Sequence, residues 1–518
     1  MAHSFEKKDR HVIPNWRSFK NTVKLGELNG SKGIRLNSTF RPDISDLLVD
    51  WEEDKNLAKA GDIIGAALLS NQETNDTVRE IAKFILDNSK IASHALIKAA
   101  NLTLNPQKQD ELDLNFDVDS IDSFKENYQL INIHNEINFL RKNLIQNPNN
   151  PILWVEISRL YAILGQQRKA EKCIRNAIFL APENRFILRN SARFFTHLGD
   201  LEFAHDIVRR SELVKTDPWV MATEISLATL RNRGSRFAKS GLQIVDSNSF
   251  HPFNISELAS SLATLELKND SLKMSRKLFK KSLINPNDNS LAQAEWAEQE
   301  QNSLMSVDPS QFAVVNSFEA LARDNAQQKK WLAAIDYSKK WFLDIPFSKA
   351  AVTFANEIAY SKLKDHELAV EIAKAGLISH PTDPQLINNI IYSLCLQNKV
   401  EEADKFFLRI KKDEVPPNSI YHICLTASRG LLHFRKGNRE EGRRFYFEAM
   451  QISKETNNLY LNSSAYVNYC REEVLAGEID CSDLLPRLNE IVKHFSSLDI
   501  SDNAKAVIDL YSSKKKLG

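Results

Sequence analysis

Prolines recur in this chain at a nearly constant interval. Pro148, Pro182, Pro218, Pro252 and Pro286 lie 34, 36, 34 and 34 residues apart, and Pro346, Pro381 and Pro416 lie 35 and 35 apart. The 60-residue gap from Pro286 to Pro346 fits two units with one shortened. Proline cannot continue a helix, because it lacks the N–H and its ring clashes with the preceding turn. Repetition at this period marks a supersecondary unit stacked on copies of itself. One such unit cannot bury both of its faces, so stability comes from its neighbours.

Between the prolines the residue types repeat as well. Residues 151–184 carry Trp154, Ile157, Ser158, Tyr161, Gly165, Ala170, Ile174, Ala177 and Pro182. Residues 185–218 carry Leu188, Ala192, Phe195, Gly199, Ala204, Val208 and Ser211. Residues 350–383 carry Tyr360, Ala369, Ala373, Gly376 and Pro381, and residues 384–417 carry Ile387, Ile390, Ile391, Leu394, Asn398, Ala403, Phe407 and Ile410. Gly430, Gly437, Gly442, Tyr446 and Ala449 fit one more copy. Small residues let two helix backbones approach, and large ones fill the remaining space. Gly165, Gly199, Gly437 and Asn398 fall where a positive φ would end the first helix of each pair.

On these residues the chain resembles the tetratricopeptide repeat superfamily over roughly residues 130–500. The resemblance implies an all-α fold, a right-handed α-solenoid of tetratricopeptide-like helical hairpins. We expect an N-terminal arm and irregular helical region over residues 1–126, the repeats over 127–500, and a helix end with a basic tail over 501–518. In the first region, residues 11–28 show no helical stripe before Phe19 and read as an extended arm. Gly26, Gly30 and Gly33 mark a loop. Leu47, Leu48 and Trp51 form one helical stripe, and Val78, Ile81, Ala82 and Ile85 another, behind a cap at Asp76 or Thr77. Residues 107–127 are acidic and read as a surface connection or a short interaction segment.

Hydrophobic residues at 42% predict that most of the chain folds, while 68 basic against 67 acidic residues give no general attraction to nucleic acid or membrane. The longest apolar run, residues 63–69, is far below the roughly 20 residues of a bilayer span. With no secretory signal at the N-terminus, the expected location is cytoplasmic. Five widely spaced cysteines form neither a disulfide framework nor a zinc site. Residues 26–33 (GELNGSKG) lack the Gly-Lys-Ser/Thr ending of a phosphate loop. His422 and Cys424, two apart on a helix, point to different faces. No catalytic motif, metal site or cofactor is expected.

The resemblance further implies that first-helix residues line an inner groove. Ile152, Val155, Arg159, Ala162 and Ile163 take those places in one repeat, and Phe186, Arg189, Arg193, Thr196 and His197 in the next, with Asn190 adjoining. Arg231, Arg233 and Arg236 follow at the end of the next first helix. Residues 185–239 hold ten Lys/Arg against six Asp/Glu. Arginine forks suit carboxylates and phosphates, so an acidic peptide or acidic protein face is the expected partner there. Gln385, Asn388, Asn389, Tyr392 and Cys395 make an uncharged wall able to hydrogen-bond a peptide backbone. Arg429, Arg435, Lys436, Arg439, Arg443 and Arg444 form a second basic run, which carries the alternative of nucleic-acid binding. The leading expectation is a non-catalytic adaptor, scaffold or regulatory subunit for a protein partner. Solenoids of this kind commonly take their role from a catalytic protein encoded beside them, including in bacterial multi-gene systems such as phage defence.

Overall fold

A computed structural model describes residues 13–17, 44–70, 75–104, 126–247, 249–301, 304–305, 307, 312, 314–410, 415–477, 481–495 and 499–517. The glycine loop at 26–33 and most of the acidic stretch at 107–127 lie outside them, as does the arm apart from residues 13–17. The described residues form 25 α-helices and no strand. The fold is therefore all-α helical repeat. Contacts group the chain into two compact units. One comprises the described residues from 13 to 324 except 163–165, and the other comprises those from 325 onward together with 163–165. We call them the first and second units.

The proline period has a local cause. Pro218 and Pro252 of that series occupy the first turn of the helices Pro218–Leu230 and Pro252–Lys268, as does Pro384, outside the series, in Pro384–Leu396. A missing N–H costs nothing there, since first-turn N–H groups have no intrahelical partner. Asp217 and Asp383 cap two of these helices by accepting from the next two free N–H groups. Each first helix packs on its own second helix and on the first helix of the next pair. Pro252–Lys268, for example, packs on Leu272–Ser282, Pro218–Leu230 and Asp288–Glu300. In the long gap, Asp288–Glu300 is followed by no described partner helix before Phe318–Gln327.

Gly165, Gly199 and Gly437 have φ of 66°, 81° and 83°, and Asn398 has 58°. Asn232, Asp270 and Lys364 do the same work in other hairpins, with φ between 54° and 57°, and Lys329, with φ of 60°, follows Phe318–Gln327. Ala170, Ala204, Ala369 and Ala403 are completely buried. The four helices from Ile44 to Leu104 hold a separate apolar cluster, in which Trp51 meets Phe84 edge-on at 5.1 Å. Asn75, rather than Asp76 or Thr77, caps Asp76–Asp87.

The helices Ile420–Arg435 and Arg439–Glu455 pack tightly around Gly430 and Gly442. A Cβ on Gly442 would sit 2.4 Å from the Phe434 ring and 3.1 Å from the Gly430 carbonyl oxygen. Alanine is a better helix former by about 1 kcal/mol, but this overpacking costs about 1–3 kcal/mol. We expect Gly442→Ala to destabilise the second unit in urea unfolding. A stability equal to or above wild type would refute the close contact.

Candidate functional site

The arginine wall of the first unit is largely committed inside the chain. Arg189, on Arg185–His197, donates to Glu257 at 2.6 Å and lies 4.8 Å from the Trp219 ring. Glu257 is buried and also accepts from Asn287 at 2.7 Å. Arg159 sits 3.5 Å from Glu156, both buried. Arg231 donates to Glu202 at 2.5 Å and lies 2.9 Å from His205 Nδ1. His205 Nε2 in turn lies 2.9 Å from the buried carboxylate of Glu224, which accepts from Ser235. Arg233 is exposed, 4.0 Å from Glu202, and Arg236 is exposed beside Phe237.

Most positions expected to line an open groove are covered instead. Val155 and Ala162 are fully buried, and Arg159, Ile163, Asn190, Arg193 and Thr196 are nearly so, whereas Ile152, Phe186, Arg189 and His197 keep part of their surface. A generic hairpin of this type implies that these positions are open, which most of them are not. Acids elsewhere in the chain take up Arg189 and Arg231, and Trp16 of the segment 13–17 lies against Phe194 on the helix Arg185–His197.

The polar wall of the second unit runs across successive first helices. Asn389 donates to Asn356 at 2.8 Å, and Asn356 donates to the Ala369 carbonyl at 2.6 Å. Asn388 accepts from Ser428 at 2.8 Å. The Tyr392 hydroxyl donates to Asn468 at 3.3 Å and accepts from Arg471 at 3.3 Å. Tyr360 and His366 pack edge-on to the Tyr392 ring at 6.2 and 6.5 Å. Burial, then the cations Lys364 and Arg471, hold His366 below its usual pKa, so it stays a neutral neighbour. Buried Gln385 Oε1 has no hydrogen-bond partner among the described residues. This arrangement offers amide donors and acceptors at repeat spacing.

No family model matches the chain, and no curated protein does. Among solved structures, the chain is similar to human IFIT1, determined as a dimer with m7Gppp-AAAA. That likeness is at 14% identity and TM-score 0.32, covering 74% of this chain and 87% of that one. It is similar to yeast Tom70 at 13% identity and TM-score 0.32, covering 75% and 94%. A chain of the Naa15/Naa10 structure bound to HypK-THB matches at 14% identity and TM-score 0.26, covering 91% and 94%. These are helical-repeat proteins of the tetratricopeptide type. At such scores no activity or partner is carried across.

The second basic run is also tied down. Arg435 pairs with Glu472 at 2.8 Å, Lys436 with Asp404 at 2.8 Å, Arg443 with Glu473 at 2.5 Å and Arg444 with Glu441 at 2.5 Å. Arg429 and Arg444 flank the Phe445 ring at 4.4 and 4.9 Å. Burial pushes Cys173 up to about 11 and Cys395, Cys424 and Cys470 up to about 12, so these thiols stay protonated and inert at neutral pH. Among the described residues, no group of three or more His, Cys, Asp or Glu is placed to hold a metal ion. No described helix is long and apolar enough to cross a membrane.

Proposed function

We propose that this chain is a non-catalytic interaction scaffold, an adaptor or regulatory subunit acting in the cytosol. It holds an extended segment of a protein partner against the amide wall of Gln385, Asn388, Asn389 and Tyr392. The supporting observation is the ladder of amides and hydroxyls on successive first helices, together with the unpartnered Gln385 Oε1. Amides both donate and accept, so they pair with peptide N–H and C=O groups regardless of side chain. A buried acceptor left unpaired costs about 1–3 kcal/mol, which a partner N–H would recover. Pairing of the basic run with in-chain carboxylates disfavours phosphate-backbone binding as the main role. Of the arginine wall, Arg233 and Arg236 are exposed and could meet an acidic partner.

The test begins with affinity capture with and without nuclease, followed by measured affinities for the partner recovered. Gln385→Ala with Tyr392→Phe keeps the ring packing and removes two polar groups. We expect at least a tenfold weaker complex, insensitive to nuclease, and a smaller loss for Arg233→Glu with Arg236→Glu. An unchanged affinity for the wall variant would sink this reading, and a nuclease-dependent complex would replace it with nucleic-acid binding.

A further inference from the structure

Residues 13–17, Ile-Pro-Asn-Trp-Arg, run without helix against first helices of the first unit. Trp16 is fully buried and meets Phe194 edge-on at 5.5 Å. Asn15 Nδ2 and Arg17 Nη2 both donate to the same oxygen of Asp288, at 2.9 and 2.7 Å. In an extended chain, residues two apart point the same way and the one between points oppositely. Asn15 and Arg17 share one carboxylate while Trp16, between them, turns onto Phe194. The backbone is read too, since Asn289 Nδ2 donates to the Ile13 carbonyl at 3.4 Å. An aromatic anchor, a charge-assisted fork and an amide on a backbone carbonyl are the contacts by which a groove recognises a peptide.

We propose that this face is a peptide-binding surface and that residues 13–17 are its intramolecular ligand. Its partner is an extended protein segment carrying asparagine, an aromatic residue and arginine in succession, admitted when the chain's own copy is released. The receptor residues stand on two helices, Arg185–His197 and Asp288–Glu300, while the occupant is a non-helical segment. Asp288 is positioned by the Asn287 cap, whose side chain is tied to Glu257 and through it to Arg189. Asn190, one turn before Phe194 on the same helix face, is buried with its Nδ2 lacking any hydrogen-bond partner among the described residues. It is a spare donor that a different sequence would engage. This inference rests on the scaffold reading but uses another surface.

The probe is a labelled peptide of residues 11–19, His-Val-Ile-Pro-Asn-Trp-Arg-Ser-Phe. Full-length chain with Asn15→Ala, Trp16→Ala and Arg17→Ala is expected to bind it at least tenfold tighter than wild type. Adding Asp288→Lys should abolish that binding, and a peptide with glutamate in place of arginine should restore it. Arg17→Glu alone, which keeps Trp16, should also raise peptide affinity, and Arg17→Glu with Asp288→Lys should lower it again. Either open variant, folded by circular dichroism, that binds no tighter than wild type overturns the proposal and makes residues 13–17 a fixed part of the core. The Gln385→Ala, Tyr392→Phe variant is expected to leave this peptide's behaviour unchanged, so the two readings fail separately.

Discussion

Arg189→Glu is expected to destabilise the first unit by about 3–5 kcal/mol, the usual result of leaving a buried charge without its partner. For a unit of this size that lowers the melting temperature by roughly 10 °C. Glu257 is 2% exposed and its carboxylate is shared by Arg189 and Asn287. Removing the guanidinium strands a buried anion, and a second carboxylate adds repulsion. Arg189→Met with Glu257→Gln should be nearly neutral, because the pair is replaced by apolar surface and an amide that still accepts from Asn287. Thermal unfolding of wild type, both single variants and the double variant measures the coupling directly. An Arg189→Glu protein melting within about 2 °C of wild type would show the pair to be solvent-screened. The expected loss also governs how partner binding is probed: charge reversal at Arg189 reports folding first, so Arg233 and Arg236 are the positions at which charge can be reversed safely.

The hairpin construction was legible because its constraints are local. Gly165, Gly199, Gly437 and Asn398 mark left-handed turns, and every one has positive φ. The turns at Asn232, Asp270, Lys329 and Lys364 were not legible, since any residue can be forced left-handed when packing fixes the helices either side. Wall positions followed from the resemblance to tetratricopeptide repeats, but their exposure did not. Exposure depends on which residues arrive from elsewhere, and Glu257 lies 68 residues from Arg189. The only hint of the segment at 13–17 was a tryptophan in a stretch with no helical pattern. Nothing in the sequence paired it with Phe194 or placed Asn15 and Arg17 on Asp288, 273 and 271 residues away. Ion pairing of the second basic run was equally hidden, because Glu472 and Glu473 belong to the next first helix.

Glu295 should make the stability of the first unit fall as pH rises through neutrality. It lies on Asp288–Glu300, and burial, followed by the nearby Asp324, raises its pKa to about 8 from 4.5, with Arg323 opposing. The folded state therefore keeps a proton that the unfolded chain releases above pH 4.5. Below that pH both states are protonated and the group contributes nothing to the pH dependence. Between 4.5 and about 8 the folded state binds more protons, so stability drops by about 1.4 kcal/mol per unit. Above about 8 both states are ionised and the loss is complete. Glu295→Gln keeps the shape without the acid. It should match wild type near pH 4.5 and exceed it by about 3 kcal/mol at pH 7. Urea unfolding of both proteins at several values from pH 5 to 8 reads this as a widening gap. A gap that stays constant across that window would mean Glu295 titrates normally, and that the helix face beyond Asp288 carries a second charge rather than a neutral acid.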